Sequence, residues 1–148
     1  MKIKLKNLKI NERLSEETMC FSATVYVDGK RAFEAANRGH GGPNEYRGDY
    51  DAAAAYAATL PPYTSEIGSL PYDLDMMIDD LIEATRFESA LKRDLKRVVF
   101  VENGEYFLTK VAATPDMIAA VVKRYPTATI LTTMPLADAV ALCKGMGL

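Results

Sequence analysis

Two dipeptides constrain this chain of 148 residues more than anything else in it. Asp28-Gly29 and Asn103-Gly104 each lie between two runs of alternating apolar and polar residues. Both central positions of a type I′ turn need φ > 0, which these pairs supply, and the twist of that turn suits the strands it joins. The first hairpin is expected to rise through residues 18–28 and return through 30–37. Phe21, Ala23, Val25 and Val27 then share one face, and Cys20, Ser22, Thr24 and Tyr26 the other. The second hairpin spans residues 98–111, and its register sets Phe100 opposite Phe107 and Val101 opposite Tyr106, both good cross-strand pairs.

The start of the chain reads as a third strand. Ile3 and Leu5 alternate with Lys2, Lys4 and Lys6, while Leu8 and Ile10 continue in the opposite phase. A β-bulge near Lys6-Asn7 restores all four apolar residues to one side. The lysines also blunt a sheet edge. Residues 73–97 carry the helical period (Leu74, Met77, Ile78, Leu81, Ala84, Leu91, Leu95), with Asp73, Asp75, Asp79 and Asp80 at the start and Lys92, Arg93, Lys96 and Arg97 at the end. Thr114-Pro115 caps and opens a helix reaching about Tyr125, residues 127–132 form a short strand, and Pro135 opens a last helix to Lys144 that Gly145 ends. Hairpins dominate this order. The expected fold is therefore α+β: a mostly antiparallel sheet built from the two hairpins and extra strands, packed against the long helix and two to three shorter ones. One domain over 1–148 is expected, with a Gly-, Pro- and Tyr-rich insertion at 37–72.

Charge and composition exclude some classes. A net charge of −2 from 18 basic and 20 acidic residues is too balanced for a dedicated nucleic-acid binder, although it leaves room for a local basic patch. Cys20 and Cys143 form no C-x-x-C pair and read as two reduced thiols. The N-terminus lacks the apolar stretch of a signal peptide, and no window approaches a membrane span. A cytoplasmic location without membrane contact is the expectation, and no cofactor fingerprint is present.

Candidate chemistry concentrates after the first hairpin. Residues 37–51 hold four of the nine glycines and the one histidine. Arg38, Gly39, His40, Gly41, Gly42, Asn44, Tyr46, Arg47, Asp49 and Tyr50 form the candidate binding set. A glycine-rich turn can offer backbone N–H groups to an anion, with Arg38 and Arg47 adding charge, yet neither the Walker spacing nor G-x-G-x-x-G is present. The glycines can equally supply φ > 0 in a long turn. His40 has the titration range of a general acid or base, and Asp49 and Asp51 are near enough in sequence to orient it, but no nucleophile is marked. The acids at 73–80 read as dipole-complementing first-turn residues, although Asp75 and Asp79 share a helical face. Five tyrosines (Tyr46, Tyr50, Tyr56, Tyr63, Tyr72) fall in the insertion, where they serve either a contact surface or local packing.

Leu5-Lys6-Asn7-Leu8, Ser15-Glu16-Glu17-Thr18 with Cys20-Phe21, Tyr26 with Asp28-Gly29-Lys30, and Asn37, Gly39 and Gly41-Gly42 together resemble small accessory proteins of phage and prophage genomes. The likeness covers about the first 45 residues. It implies an accessory protein of the host cytoplasm and carries over no catalytic residues. The leading expectation is a non-enzymatic binding protein that acts by occupying a host or phage protein, with Arg38, His40, Tyr46 and Arg47 near the centre of its contact surface. A binder of a nucleotide or other phosphorylated small molecule at residues 39–42 is the alternative, and a hydrolase or transferase using His40 the third reading.

Overall fold

A computed structural model describes residues 1–148, and its fold is α+β with antiparallel sheets. Strand β1 (Ile3–Ile10) leads through a 3-10 turn (Glu12–Leu14) to β2 (Cys20–Val27), β3 (Lys30–Arg38) and β4 (Glu45–Gly48). Helix α1 (Asp51–Ala57), the small hairpin β5 (Tyr63–Ser65) and β6 (Gly68–Leu70), and helix α2 (Leu74–Asp94) follow. The chain ends with β7 (Arg97–Glu102), β8 (Glu105–Ala112), α3 (Pro115–Arg124), β9 (Thr129–Ile130) and α4 (Leu136–Gly145).

The local readings hold closely. Asp28 (φ 48) and Gly29 (φ 83) turn the first hairpin, and Asn103 (φ 52) and Gly104 (φ 80) the second. Phe100 pairs with Phe107 and Val101 with Tyr106. In β1 the register shifts between Lys6 and Lys9, with Asn7 at φ 53, so a bulge sits where the alternation changes phase. The Thr114 side chain accepts a hydrogen bond from the Met117 N–H at 3.1 Å and caps α3. The long helix stops at Asp94 rather than Arg97, because Arg97 already pairs with Ala112 in β7.

The two hairpins do not share one sheet. The first lies in a four-stranded sheet of order β1-β2-β3-β4 and the second in a three-stranded sheet of order β8-β7-β9. Each hairpin recruits partner strands from nearby sequence, which costs less loop-closure entropy than joining distant hairpins, and β1 and β4 already occupy both flanks of the first. The chain divides into two compact units, Met1–Thr85 and Arg86–Leu148. The stretch 37–72 is also less loop-like than expected. β4 joins the first sheet, and Ala53 and Ala57 of α1 are buried in the core.

In the first unit, Phe21, Ala23 and Val25 of β2 and Phe33 and Ala35 of β3 meet α1 and the first half of α2 through Leu74, Met77, Ile78 and Ile82. Ile3, Leu5, Leu8 and Ile10 all pack on this cluster, as the bulge allows. The sheet is covered by helices on that one face. In the second unit, Val99 and Val101 pack with Leu91, Ala139 and Cys143, while Val98 and Phe100 point to the other side and pack with Val121 of α3. Cys20 and Cys143 are both free thiols.

Candidate functional site

The glycine turn joining β3 to β4 is fastened to the segment before β2. Gly39 sits at φ 85, and a Cβ there would fall 2.0 Å from the Leu14 carbonyl oxygen, so only glycine fits. Its own carbonyl accepts hydrogen bonds from the Glu16 and Glu17 N–H groups at 3.0 and 3.1 Å. The Gly39 N–H donates to Asn37 Oδ1 at 2.9 Å and the Gly41 N–H to Thr18 Oγ1 at 3.2 Å. These N–H groups, which an anion cradle would need pointing outward, are committed inside the protein.

Asn37 is the organising residue. It is the buried polar side chain of the molecule, 7% exposed, and such a group is tolerable only when its hydrogen bonds are made. Its Oδ1 accepts from Thr18 Oγ1 at 2.7 Å as well as from Gly39. Its Nδ2 donates to the Gly42 carbonyl at 3.3 Å and to Asn44 Oδ1 at 3.1 Å. Asn44 reaches onward to α2, where its N–H donates to Asp75 Oδ2 at 3.2 Å. The Tyr46 hydroxyl donates to the other oxygen of Asp75.

Between the turn and the helix opens a pocket of about 330 Å³ lined by Thr18, Met19, Phe21, Asn37, Gly42, Asn44, Asp75, Asp79, Ile82 and Glu83. The helical residues fall at i, i+4, i+7 and i+8, one stripe along α2, so three carboxylates and an isoleucine look the same way. Met19, Phe21 and Ile82 supply apolar walls, and Asn37 and Asn44 supply amides. Partial desolvation of the otherwise exposed Asp79 carboxyl, together with the neighbouring Asp75, Asp80 and Asp73 charges, raises its pKa above the ordinary value of 3.8, against an opposing hydrogen bond from Asn44. Burial and the bond to Asp75 push the Tyr46 hydroxyl far above its usual range. The site is negative, amide-rich and apolar at its walls. It suits a cation better than a phosphate.

The residues singled out from sequence scatter around this pocket. Gly42 and Asn44 line it, and Gly39, Gly41 and Tyr46 build its frame. Tyr46 is no exposed anchor: its ring meets Phe33 edge-on at 5.8 Å and Tyr50 at 5.4 Å. Arg38 points to solvent and pairs with Glu45 at 3.4 Å, and Arg47 is exposed across from Glu34. His40 is exposed with Glu16 at 3.3 Å from its Nδ1. Asp49 is exposed, and its N–H donates to the Ala32 carbonyl.

Thr18, Asn37, Asp75, Asp79 and Glu83 were absent from the candidate set. Asp73 does cap α2, its carboxylate accepting from the Met76 N–H at 2.9 Å, as the dipole reading requires. That reading does not reach Glu83, because the helix-end field fades within the first turn. A third acid continuing the Asp75–Asp79 stripe was the available signal. No protein-family model, curated protein or solved structure matches this chain, and no helix is long and apolar enough to cross a membrane.

Proposed function

We propose that the protein is a non-enzymatic binding protein that captures a basic side chain of a protein partner in the pocket beside the glycine turn. The observation that carries this reading is the stripe Asp75, Asp79 and Glu83 set against the apolar walls Met19, Phe21 and Ile82. Lysine and arginine have that same division, an apolar stem and a charged head. The pocket volume lies at the small end of ligand sites, enough for one side chain. A macromolecular partner is further supported by the β5–β6 hairpin of the same unit, where Ile67 is 100% exposed and Tyr63 and Leu70 more than half exposed. Exposed apolar residues grouped this way mark contact surfaces. An accessory role by occupancy also accords with the phage and prophage proteins that the first 45 residues resemble.

The phosphorylated-ligand alternative has less support, because the two turn N–H groups are committed inward and the nearest charges are carboxylates. Proton or heteronuclear NMR tests the proposal. Short arginine-containing peptides should move the Asn37 and Asn44 side-chain amides and the Thr18 and Gly42 signals, while glutamate-containing peptides of equal length leave them in place. Equal shifts with both peptides, or shifts confined to residues remote from the pocket, would contradict it.

A further inference from the structure

The face of the first sheet turned away from its core has its own chemistry. Pairing places Lys4 beside Tyr26, Lys6 beside Thr24 and Lys9 beside Ser22. It continues the rows with Arg31, Glu34, Ala36 and Arg38 on β3, and with Glu45 and Arg47 on β4. All these residues therefore share one face of the pleat. The bulge at Asn7 matters here as well as in the core. Strict alternation through β1 would turn Lys9 to the opposite face from Lys4 and Lys6, whereas the register shift keeps all three together.

We infer that this open sheet face is a docking surface for single-stranded nucleic acid, gripped through its phosphates. Lys4, Lys6 and Lys9 run along one edge strand, with Arg31, Arg38 and Arg47 on the far side of the sheet. Two carboxylates on β3 and β4 answer them, Glu34 paired with Arg31 at 2.6 Å and Glu45 with Arg38 at 3.4 Å. The remaining charge along these rows is positive, in a chain whose total is −2. Between the cationic margins the floor is small and hydroxylated. Ser22, Thr24 and Ala36 line a depression of about 300 Å³ with Asn7, Lys9 and Glu34, whose carboxylate is held by Arg31, and a second of about 460 Å³ lies among Lys2, Lys4, Lys6, Tyr26 and Asp28. Lys4 and Lys6 stand roughly 6.8 Å apart along the strand and Lys9 follows beyond the bulge, a row of cations that can meet successive phosphates. Hydroxyl donors and backbone-tracking cations are what phosphates take, and Tyr26, with the Lys6 ammonium 4.3 Å from its ring centre, offers a stacking platform once Lys6 moves to a phosphate. Edge protection alone accounts for charges on the two edge strands β1 and β4 but not for Arg31 and Arg38 on the inner strand β3.

Fluorescence anisotropy with labelled oligothymidine of about twenty nucleotides tests this, that length covering the usual footprint of a small single-strand site. The full chain should bind, with affinity falling as salt rises. The K4E/K6E/K9E variant should lose more than tenfold in affinity with its circular dichroism unchanged, and Arg47→Glu several-fold. Each phosphate left without its cation should flatten the log–log salt slope by about 0.7. The Asp79→Asn/Glu83→Gln variant should bind the oligonucleotide no more weakly than the parent, which separates this surface from the pocket. No binding at low salt, an undiminished K4E/K6E/K9E variant, or equally potent displacement by poly-glutamate of matched charge, which would assign the face to an acidic protein, overturns the inference.

Discussion

The Tyr46 hydroxyl donates its hydrogen to Oδ1 of Asp75, joining the edge strand β4 to the first turn of α2 across 29 positions of sequence. The Asn44 N–H occupies the other oxygen of the same carboxylate. Hydrogen bonds to a charged acceptor are worth about 1.5–3 kcal/mol where they are sheltered. Tyr46→Phe should therefore lower unfolding stability by about 1–2 kcal/mol, since Asp75 keeps a second donor. Asp75→Ala, which strands both donors, should cost more. Urea denaturation of the two variants checks the order.

The glycines of the turn are not equivalent. Gly39→Ala must adopt a left-handed backbone, which costs about 1–2 kcal/mol, and must also displace the Leu14 carbonyl. Gly42→Ala carries only the backbone cost, because nothing lies within 4 Å of the added carbon. Thermal melts should show Gly39→Ala as clearly the more damaging, and detachment of the 12–18 segment should appear as faster amide exchange at Glu16 and Glu17.

Asp79 sets a pH signature. Its folded pKa is raised, so the folded state holds the proton more tightly than the unfolded chain does. Its contribution to stability is greatest below the unfolded value near 3.8 and is lost as pH rises through the raised value. Asp79→Asn should be more stable than the parent at neutral pH, with the difference shrinking as pH falls toward 4. A denaturation series across that window measures it. A variant no more stable at pH 7 would show that the Asp79 charge carries no penalty.

Three tyrosines resist ionisation in the folded protein. Burial, aided by hydrogen bonds to Asp75, Asp80 and Asp94 respectively, drives the hydroxyls of Tyr46, Tyr72 and Tyr106 well above the ordinary 10.0. The unfolded chain ionises first, so these three weaken the fold as pH climbs past 10. Phenolate absorbance should show these three ionising only as the structure is lost.

The hairpins, the bulge, the Thr114 cap and the central pairs of the second hairpin were legible because each is set by a few adjacent residues. Asp-Gly and Asn-Gly dictate φ locally, and the phase change from Leu5 to Leu8 marks the bulge. The separate sheets were not legible, since alternation gives the face of a strand and not its neighbour. The pocket was half legible. Asn44, Gly42 and Tyr46 stood out by composition, but their counterpart Asp75 lies 31 positions beyond Asn44, in a helix start where acids already have an ordinary explanation. His40 drew attention for its chemistry, yet its neighbour in space is Glu16 and not the pocket.

Calorimetric titration of an arginine-containing peptide into the protein, its Asp79→Asn/Glu83→Gln variant and its His40→Ala variant tests the pocket most directly. The parent and His40→Ala should bind alike. The double variant should bind at least tenfold more weakly, a loss of about 1.4 kcal/mol. Parent affinity should fall as pH drops through the raised pKa of Asp79. Equal affinity for the parent and the double variant, or no heat of binding to either, would contradict a cation-capturing pocket.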